Sequence, residues 1–279
     1  MWYKTVLVHV DQGRDASSRI AIAAQIALDN QAHLVGAAMT GMSPSVFAAA
    51  GLNPAVPPLL LSFDALREES TQALDAFEQQ VVAFGVASYE RRQLEDQAGP
   101  GMSMQARYAD LLVISQADRA SPAPRLRADF PEYVLLNCAR PVLVVPAGTP
   151  PAPLGKRVMI GWNGSREATR AITSAIPLLK DAQQVDIVVL NPASEGDMHG
   201  PLAGADIALF LARHGVKVDV RSRSGVADVG AVLLALAADA GADLLVMGAY
   251  GHSRIGEILL GGVTRTLLAS ARLPLWMAR

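Results

Sequence analysis

The glycine-rich stretch 242–264, near the end of the chain, carries residue types that suit phosphate binding. It begins with an apolar run, Leu244–Met247, short enough for a buried strand. A loop and then a helical pattern to Ala271 follow. Glycine lets the backbone come close to a ligand, and a helix start offers unpaired N–H groups and a positive dipole end. The glycines of the stretch are Gly248, Gly251, Gly261 and Gly262.

This loop matches neither of the two common phosphate-binding motifs. A Walker loop needs Lys after its last glycine, whereas Gly262 and Val263 follow Gly261 here. The dinucleotide fingerprint Gly-x-Gly-x-x-Gly is also absent. Ordinary turn glycines in an α/β domain are therefore the competing interpretation.

The spacing Gly-x2-Gly-x9-Gly at the end of an α/β pattern resembles the nucleotide loop of the universal stress protein family. Val263 and Thr264 match the two residues that end the family's loop. One position departs, because ATP-binding members usually have Ser where this chain has Gly262. The departure removes a hydroxyl donor but keeps the backbone N–H, so the resemblance still implies phosphate binding, in weakened form.

The resemblance also implies which residues contact the base and the ribose. Asn163 stands where the family has an Asp on the adenine or ribose side of the ligand, and its amide can both accept and donate. Leu190 would line the adenine pocket, and Met247 would lie behind the ribose. Asn163 has a second interpretation, as an Asx cap on a helix that starts near Ser165, and both roles are compatible.

The chain is a tandem repeat. Ala109–Val113 and Ala242–Val246 both spell ADLLV, 133 positions apart. Pro141 and Pro274 open the closing strands at the same separation. A Pro-rich linker divides the copies, which predicts domains at residues 1–146 and 156–279 with the linker at 147–155.

Strands alternate with helices in each copy, which indicates a parallel sheet covered on both faces. The pattern predicts strands at Tyr3–Val10 and Val216–Ser222. It also predicts a helix at Ser17–Asp29, with Ile20, Ala24, Ala27 and Leu28 on its inward face. The fold class expected is α/β with two tandem doubly wound domains. The resemblance supplies the strand order 3-2-1-4-5 and the adenine-nucleotide alpha-hydrolase-like type.

The first copy lacks the glycines of the second. At the fixed separation, Ser115, Asp118, Ala128 and Asp129 stand opposite Gly248, Gly251, Gly261 and Gly262. Two carboxylates thus replace glycines where a polyphosphate would lie, and like charges oppose binding. The sequence predicts that the first copy binds no nucleotide through this loop. Since turn glycines would be needed in both copies, the contrast favours a functional loop in the second.

Composition excludes several classes of protein. The net charge of −2 and the 5% of aromatic residues argue against nucleic acid as a partner. No apolar run approaches the roughly 20 residues of a membrane span, and the N-terminus does not resemble a signal peptide. A cytoplasmic protein is therefore expected, with no membrane partner.

The first functional hypothesis is a stress-response switch or sensor whose second domain binds ATP or another adenine nucleotide, alone or with Mg²⁺. A scaffold that binds no nucleotide is the alternative. A weak ATPase is the third hypothesis, and the absence of an evident catalytic base or metal-binding carboxylate near the loop counts against it. The resemblance implies an internal pseudo-dimer through Pro141–Val145 and Pro274–Met277, and a homodimer stays open. The Pro-rich segment Gly41–Leu61 is expected to be irregular, covering either a site or a dimer surface.

Overall fold

The computed structural model describes residues 3–42, 63–117, 129–192, 202–251 and 262–279. The chain divides into two units, unit 1 at Met1–Arg140 and unit 2 at Pro141–Arg279. The predicted loop Gly41–Leu61 lies outside the described residues apart from its first two positions. The same is true of Asp118 and Ala128.

Unit 1 alternates strands with helices. Its strands are β1 (Thr5–Val10), β2 (His33–Met39), β3 (Tyr89–Leu94) and β4 (Leu111–Ser115). Its helices are α1 (Ala16–Asn30), α2 (Phe63–Ala83), α3 (Ala98–Gln105) and α4 (Phe130–Asn137), with a short 3₁₀ turn at Ala106–Tyr108. The strands are parallel in the order β3-β2-β1-β4, with Val6 beside Leu34 on one side and Leu111 on the other.

Unit 2 contains the remaining elements. Its strands are β5 (Val142–Val145), β6 (Arg157–Gly161), β7 (Gln184–Leu190), β8 (Asp219–Arg223), β9 (Leu244–Gly248) and β10 (Leu275–Ala278). Its helices are α5 (Arg166–Lys180), α6 (Ala205–Arg213), α7 (Val229–Asp239) and α8 (Gly262–Ser270). Strands β6 to β10 are parallel in the order β8-β7-β6-β9-β10, which is the predicted order 3-2-1-4-5.

Strand β5 is the one antiparallel strand among those described in unit 2. It pairs with β10, Leu143 lying beside Trp276. The sequence repeat assigns β5 to the first copy, whereas the structure assigns it to unit 2. The predicted fold class, α/β with two doubly wound copies, is confirmed.

Amphipathic helices cover the sheets, as the apolar periodicity predicts. Helix α5 buries one face against β9 and β10, and that face consists of Ala168, Ala171, Ile172, Ala175, Ile176 and Leu179. Helix α1 buries Ile20, Ala24 and Ala27, but Leu28 is 36% exposed, so its predicted inward position is wrong. Leu28 lies in the last turn, next to the left-handed residue Gln31 that ends the helix.

Most predicted strands and helices differ from the structure only at their ends. The strand expected at Val216–Ser222 forms at Asp219–Arg223, where all five residues are exposed and mostly polar. Among the described residues, no helix combines the length and the apolar character needed to cross a membrane.

Candidate functional site

A cavity of about 260 Å³ lies in unit 2 at the carboxyl ends of three parallel strands. Strands β6, β7 and β9 end at Gly161, Leu190 and Gly248, and their ends meet at one edge of the sheet. The start of α8 and the first turns of α7 complete the wall. This is where doubly wound sheets usually bind ligands. The volume lies just below the roughly 300–1,000 Å³ typical of small-molecule sites.

The structure brings the predicted binding residues together. Every one that lies within the described residues lines this cavity: Asn163, Leu190, Met247, Gly248, Gly251, Gly262, Val263 and Thr264. Gly261 lies outside the described residues. Residues far apart in sequence therefore converge, and their roles in binding stay predictions.

Asn163 supports the start of α5 through Ser165. Its Oδ1 accepts hydrogen bonds from Ser165 N at 3.2 Å and Ser165 Oγ at 2.7 Å. Ser165 Oγ in turn accepts from Ala168 N at 3.1 Å, so Ser165 is the N-cap. The backbone N–H of Ser165 fixes the orientation of the Asn163 side-chain amide, because only the amide oxygen can accept a hydrogen bond from it. Asn163 lines the cavity, and its Nδ2 group makes no hydrogen bond to any residue that the structure describes, so it can donate to a ligand.

Gly248 and Gly251 lie where the start of α5 approaches the loop. A Cβ on Gly248 would lie 2.5 Å from Ala168 N and 2.8 Å from the carbonyl carbon of Glu167. A Cβ on Gly251 would lie 3.0 Å from both Glu167 Oε2 and Ser165 Oγ. Packing alone therefore requires glycine at 248 and favours it at 251. The absence of these glycines from the first copy is consequently not evidence for a ligand on its own.

The first described turn of α8 lines the cavity. The helix begins at Gly262, and the first N–H groups of any helix have no partner within it. Gly262 is exposed, and an added Cβ there would have no atom of the described residues within 4 Å. Thr264 is buried, and its Oγ1 accepts from Tyr250 N at 3.2 Å, which ties the loop to the helix. The Thr264 hydroxyl can still donate one hydrogen bond.

Several lining residues were not predicted from sequence. Asn191 follows β7 in a left-handed conformation, with φ at 54°. Its side chain accepts from Val226 N at 2.9 Å and donates to Val226 O at 2.7 Å. A polar residue directly after a strand was the available signal for Asn191, whereas Asn163 was chosen by its resemblance to the family's Asp. The other unpredicted lining residues are Gly161, Trp162, Val229, Leu233 and Tyr250.

The equivalent strand end in unit 1 is built around a buried arginine. Arg19 on α1 is 1% exposed and donates from Nε to His9 O at 2.7 Å and from one terminal nitrogen to Asp11 Oδ1 at 2.9 Å. Its other terminal nitrogen donates to Ser115 Oγ. Burial alone would raise the pKa of Asp11, but the Arg19 guanidinium outweighs it and holds that pKa well below its usual range.

The start of α4 also differs from that of α8. Asp129 stands at the N-cap, and Pro131, which lacks a backbone N–H, lies in the first turn. At the repeat separation these residues match Gly262 and Thr264. A carboxylate and a missing N–H donor both oppose phosphate binding at this helix start. Asp129 and Pro131 therefore support the prediction that unit 1 binds no polyphosphate there.

The described residues include no group of three or more His, Cys, Asp or Glu side chains that could hold a metal ion. Mg²⁺ in nucleotide sites is commonly held through substrate phosphates with one or two carboxylates. The buried Glu167, in the first turn of α5, is the acidic side chain next to Gly251.

Comparison with known proteins identifies the family of the second copy. The universal stress protein family model matches residues 155–279. These residues therefore belong to the universal stress protein family, which confirms the resemblance drawn from the glycine loop. No curated protein matches the chain significantly.

Known structures show that the fold extends over both copies. A universal stress protein from Archaeoglobus fulgidus DSM 4304 is 14% identical, with 99% of this chain and 96% of that one covered at a TM-score of 0.74. A putative universal stress protein from Pseudomonas aeruginosa UCBPP-PA14 is 16% identical, with 98% and 92% covered at 0.61. At these identities the similarity establishes the tandem fold alone.

A shorter structure was solved with a nucleotide. It is a universal stress protein in complex with cAMP, 22% identical, covering 52% of this chain and 98% of its own. Its TM-score of 0.38 is too low to support an inference about this chain.

Proposed function

We propose that the cavity of unit 2 binds an adenine nucleotide, with ATP the expected ligand, and that binding acts as a stress-response switch or sensor. The observation that carries this proposal is the convergence of Asn163, the described glycines Gly248 and Gly251, and the start of α8 on one cavity at the strand ends. Apolar residues and directed donors are what a nucleotide site requires.

Each wall of the cavity suits one part of a nucleotide. The apolar side chains of Leu190, Leu233 and Met247 suit a base and a sugar. The start of α8, with Gly262 exposed, suits the phosphates, because its N–H groups and dipole favour negative charge. Mg²⁺ would enter with the phosphates and supply charge neutralisation there.

In this proposal the chain binds but does not turn over its ligand rapidly, and any hydrolysis is slow and incidental. Unit 1 acts as a structural partner without a nucleotide. Pairing of the two copies through their closing strands forms an internal pseudo-dimer in the proposal. The antiparallel pairing of β5 with β10 supports this, since the repeat assigns these strands to different copies.

The test is nucleotide binding by the full chain and by two variants at Gly262. Mass spectrometry would identify adenine nucleotide released from freshly purified protein, and calorimetry would measure ATP affinity. Gly262→Asp places the carboxylate of Asp129 at the equivalent position of unit 2. It is expected to weaken ATP binding about tenfold or more, since like charges a few ångströms apart cost over 1 kcal/mol.

Gly262→Ala is the matched control, because the added Cβ meets no atom within 4 Å in the part of the chain that the structure describes. It should leave ATP affinity unchanged, and both variants should fold, since Asp is favourable in the first turn of a helix. Absence of retained nucleotide, with no ATP binding at millimolar concentration, would refute the proposal and leave the scaffold alternative. ATP turnover that persists through purification and falls with Gly262→Asp would instead support the ATPase alternative.

A further inference from the structure

At its own strand ends, unit 1 contains a cavity larger than the one described above in unit 2. Its volume is about 670 Å³, well within the roughly 300–1,000 Å³ range of small-molecule sites. It opens beyond the carboxyl ends of β1 and β2, between α2 on one side and the starts of α3 and α4 on the other. We call this space the unit 1 cavity.

The walls of the unit 1 cavity are largely apolar and come from several elements. Met39 and Met42 line it from the end of β2, and Leu66 from α2. Phe130 and Tyr133 line it from α4. Aromatic and sulfur-containing side chains adapt well to apolar ligands. A cavity with such walls on separate elements is suited to an apolar molecule.

One fully buried polar group in this wall has no partner. His9 is 2% exposed, and its Nδ1 makes no hydrogen bond to any described residue. The nearest carboxylate oxygen, Asp11 Oδ2, lies 3.6 Å away, beyond hydrogen-bond distance. The ring packs against Phe130, with the ring centres 5.1 Å apart. Buried polar groups normally have a partner, so this nitrogen indicates one that the described residues do not supply.

The imidazole of His9 is neutral near pH 7. Burial lowers its pKa to about 4, with Arg19 contributing in the same direction and Asp11 opposing. A neutral imidazole carries one donor and one acceptor nitrogen. It can therefore share one hydrogen bond with an uncharged group.

The charged residues that the structure describes around the cavity are acidic and disfavour an anion. The described lining residues include the carboxylates Asp11, Glu69 and Asp129 but no lysine or arginine. The nearby Arg19 is directed to Asp11, Ser115 and the His9 carbonyl. These residues thus include no free cation that could bind a phosphate. The described wall of the unit 1 cavity contains carboxylates, whereas that of the unit 2 cavity contains glycines and a helix start.

We propose that the unit 1 cavity is a second ligand site, for an uncharged and mainly apolar small molecule that hydrogen-bonds to His9 through a single polar group. The site is separate from the proposed nucleotide site and does not depend on it. The chain would then sense two chemically different ligands, one in each unit.

The test uses two uncharged probes of the same shape on the full chain. N-phenyl-1-naphthylamine carries an N–H between two aromatic groups, and 1-benzylnaphthalene has a CH₂ in that place. Probe fluorescence, excited directly, reports the dissociation constant. Both probes are expected to bind in the micromolar range, with the N–H probe the tighter of the two.

Variants then locate the binding. Leu66→Trp and Ala98→Phe fill the cavity from opposite walls, and each is expected to weaken both probes about tenfold or more. Val82→Trp, on the same helix as Leu66 but 58% exposed, is the matched control and should change neither. His9→Leu should weaken the N–H probe several-fold and leave the CH₂ probe unchanged.

Three results would overturn the proposal. The first is no binding of either probe by the wild-type chain. The second is binding that both cavity-filling variants, shown to be folded by circular dichroism, leave unchanged. The third is displacement of the probe by millimolar ATP together with loss of probe binding in Gly262→Asp, which would place the probe in unit 2.

Discussion

At the end of its central strand, unit 1 contains a buried guanidinium, whereas unit 2 contains the backbone of a helix start. In unit 1, Arg19 reaches back from α1 and bonds to Asp11 and Ser115. In unit 2, the residue matching Ser115 is Gly248, and the peptide between Glu167 and Ala168 lies against it. The same position in the fold is thus filled by a side chain in one copy and by backbone in the other.

A difference in spacing accounts for the contrast. Helix α1 begins five residues after Asp11, but α5 begins three residues after Asn163. The shorter connection brings the first turn of α5 against β9, which only glycine tolerates there. The longer connection leaves room that Arg19 fills. The residue at the position of Ser115 and Gly248 therefore depends on the length of the connection between the first strand and the first helix of each copy.

The largest expected effect comes from removing the arginine. Arg19→Met leaves the partly buried Asp11 carboxylate, which is 17% exposed, without its cation, and should lower the free energy of unfolding by about 3 kcal/mol, the lower end for a broken buried pair. Urea denaturation followed by circular dichroism would measure this. Arg14→Met is the control at a site 63% exposed, with an expected change within about 0.5 kcal/mol. Equal losses in the two variants would contradict the role assigned to Arg19.

The pH dependence of stability tests the same cluster. The pKa of His9 falls from its ordinary value of 6.5 to about 4 on folding, chiefly through burial. Between these values the unfolded chain binds the extra proton, so stability is full above pH 6.5 and declines towards pH 4. The loss is on the order of 3 kcal/mol, at 1.36 kcal/mol for each pKa unit.

His9→Leu should abolish this part of the pH dependence, measured as unfolding free energy from pH 7 to pH 4. The depressed pKa of Asp11 acts at lower pH, because its stabilisation is lost only as pH falls below the ordinary range of a carboxyl group. His33→Gln, on a partly exposed side chain, is the control and should keep the wild-type slope. A wild-type slope in His9→Leu would mean that other groups carry the effect.

Sequence reasoning predicted the architecture well because it rests on apolar periodicity and an internal repeat. The match of ADLLV in the two copies placed β4 and β9 correctly, and the cavity of unit 2 contains every predicted residue that the structure describes. Sequence reasoning could not predict the cluster of Arg19, Asp11 and Ser115, since a lone arginine in an amphipathic helix normally reaches solvent. Nor could it predict the contact at Gly248, which depends on where α5 begins.

The steric role of Gly248 yields a smaller effect. Gly248→Ala places a Cβ 2.5 Å from Ala168 N, and backbone cannot move aside as a flexible side chain can. Overpacking of this kind typically costs about 1–3 kcal/mol, and urea denaturation of the full chain should show it. Gly262→Ala, whose added Cβ meets no described residue, should be nearly neutral. Equal stability of the two variants would show that glycine at 248 is not held by packing.

The final prediction separates the two roles of Asn163. Asn163→Asp keeps the oxygen that accepts from Ser165 N and Ser165 Oγ, so the free energy of unfolding should change by less than about 0.5 kcal/mol. The substitution nevertheless replaces the Nδ2 donor with an acceptor. A site that contacts the base should then favour the 6-amino group of ATP over the 6-oxo group of inosine triphosphate. Calorimetry with the two nucleotides should show their affinity ratio shifting several-fold towards ATP. An unchanged ratio would mean that Asn163 serves only the start of α5, as Asp11 serves Arg19 in unit 1.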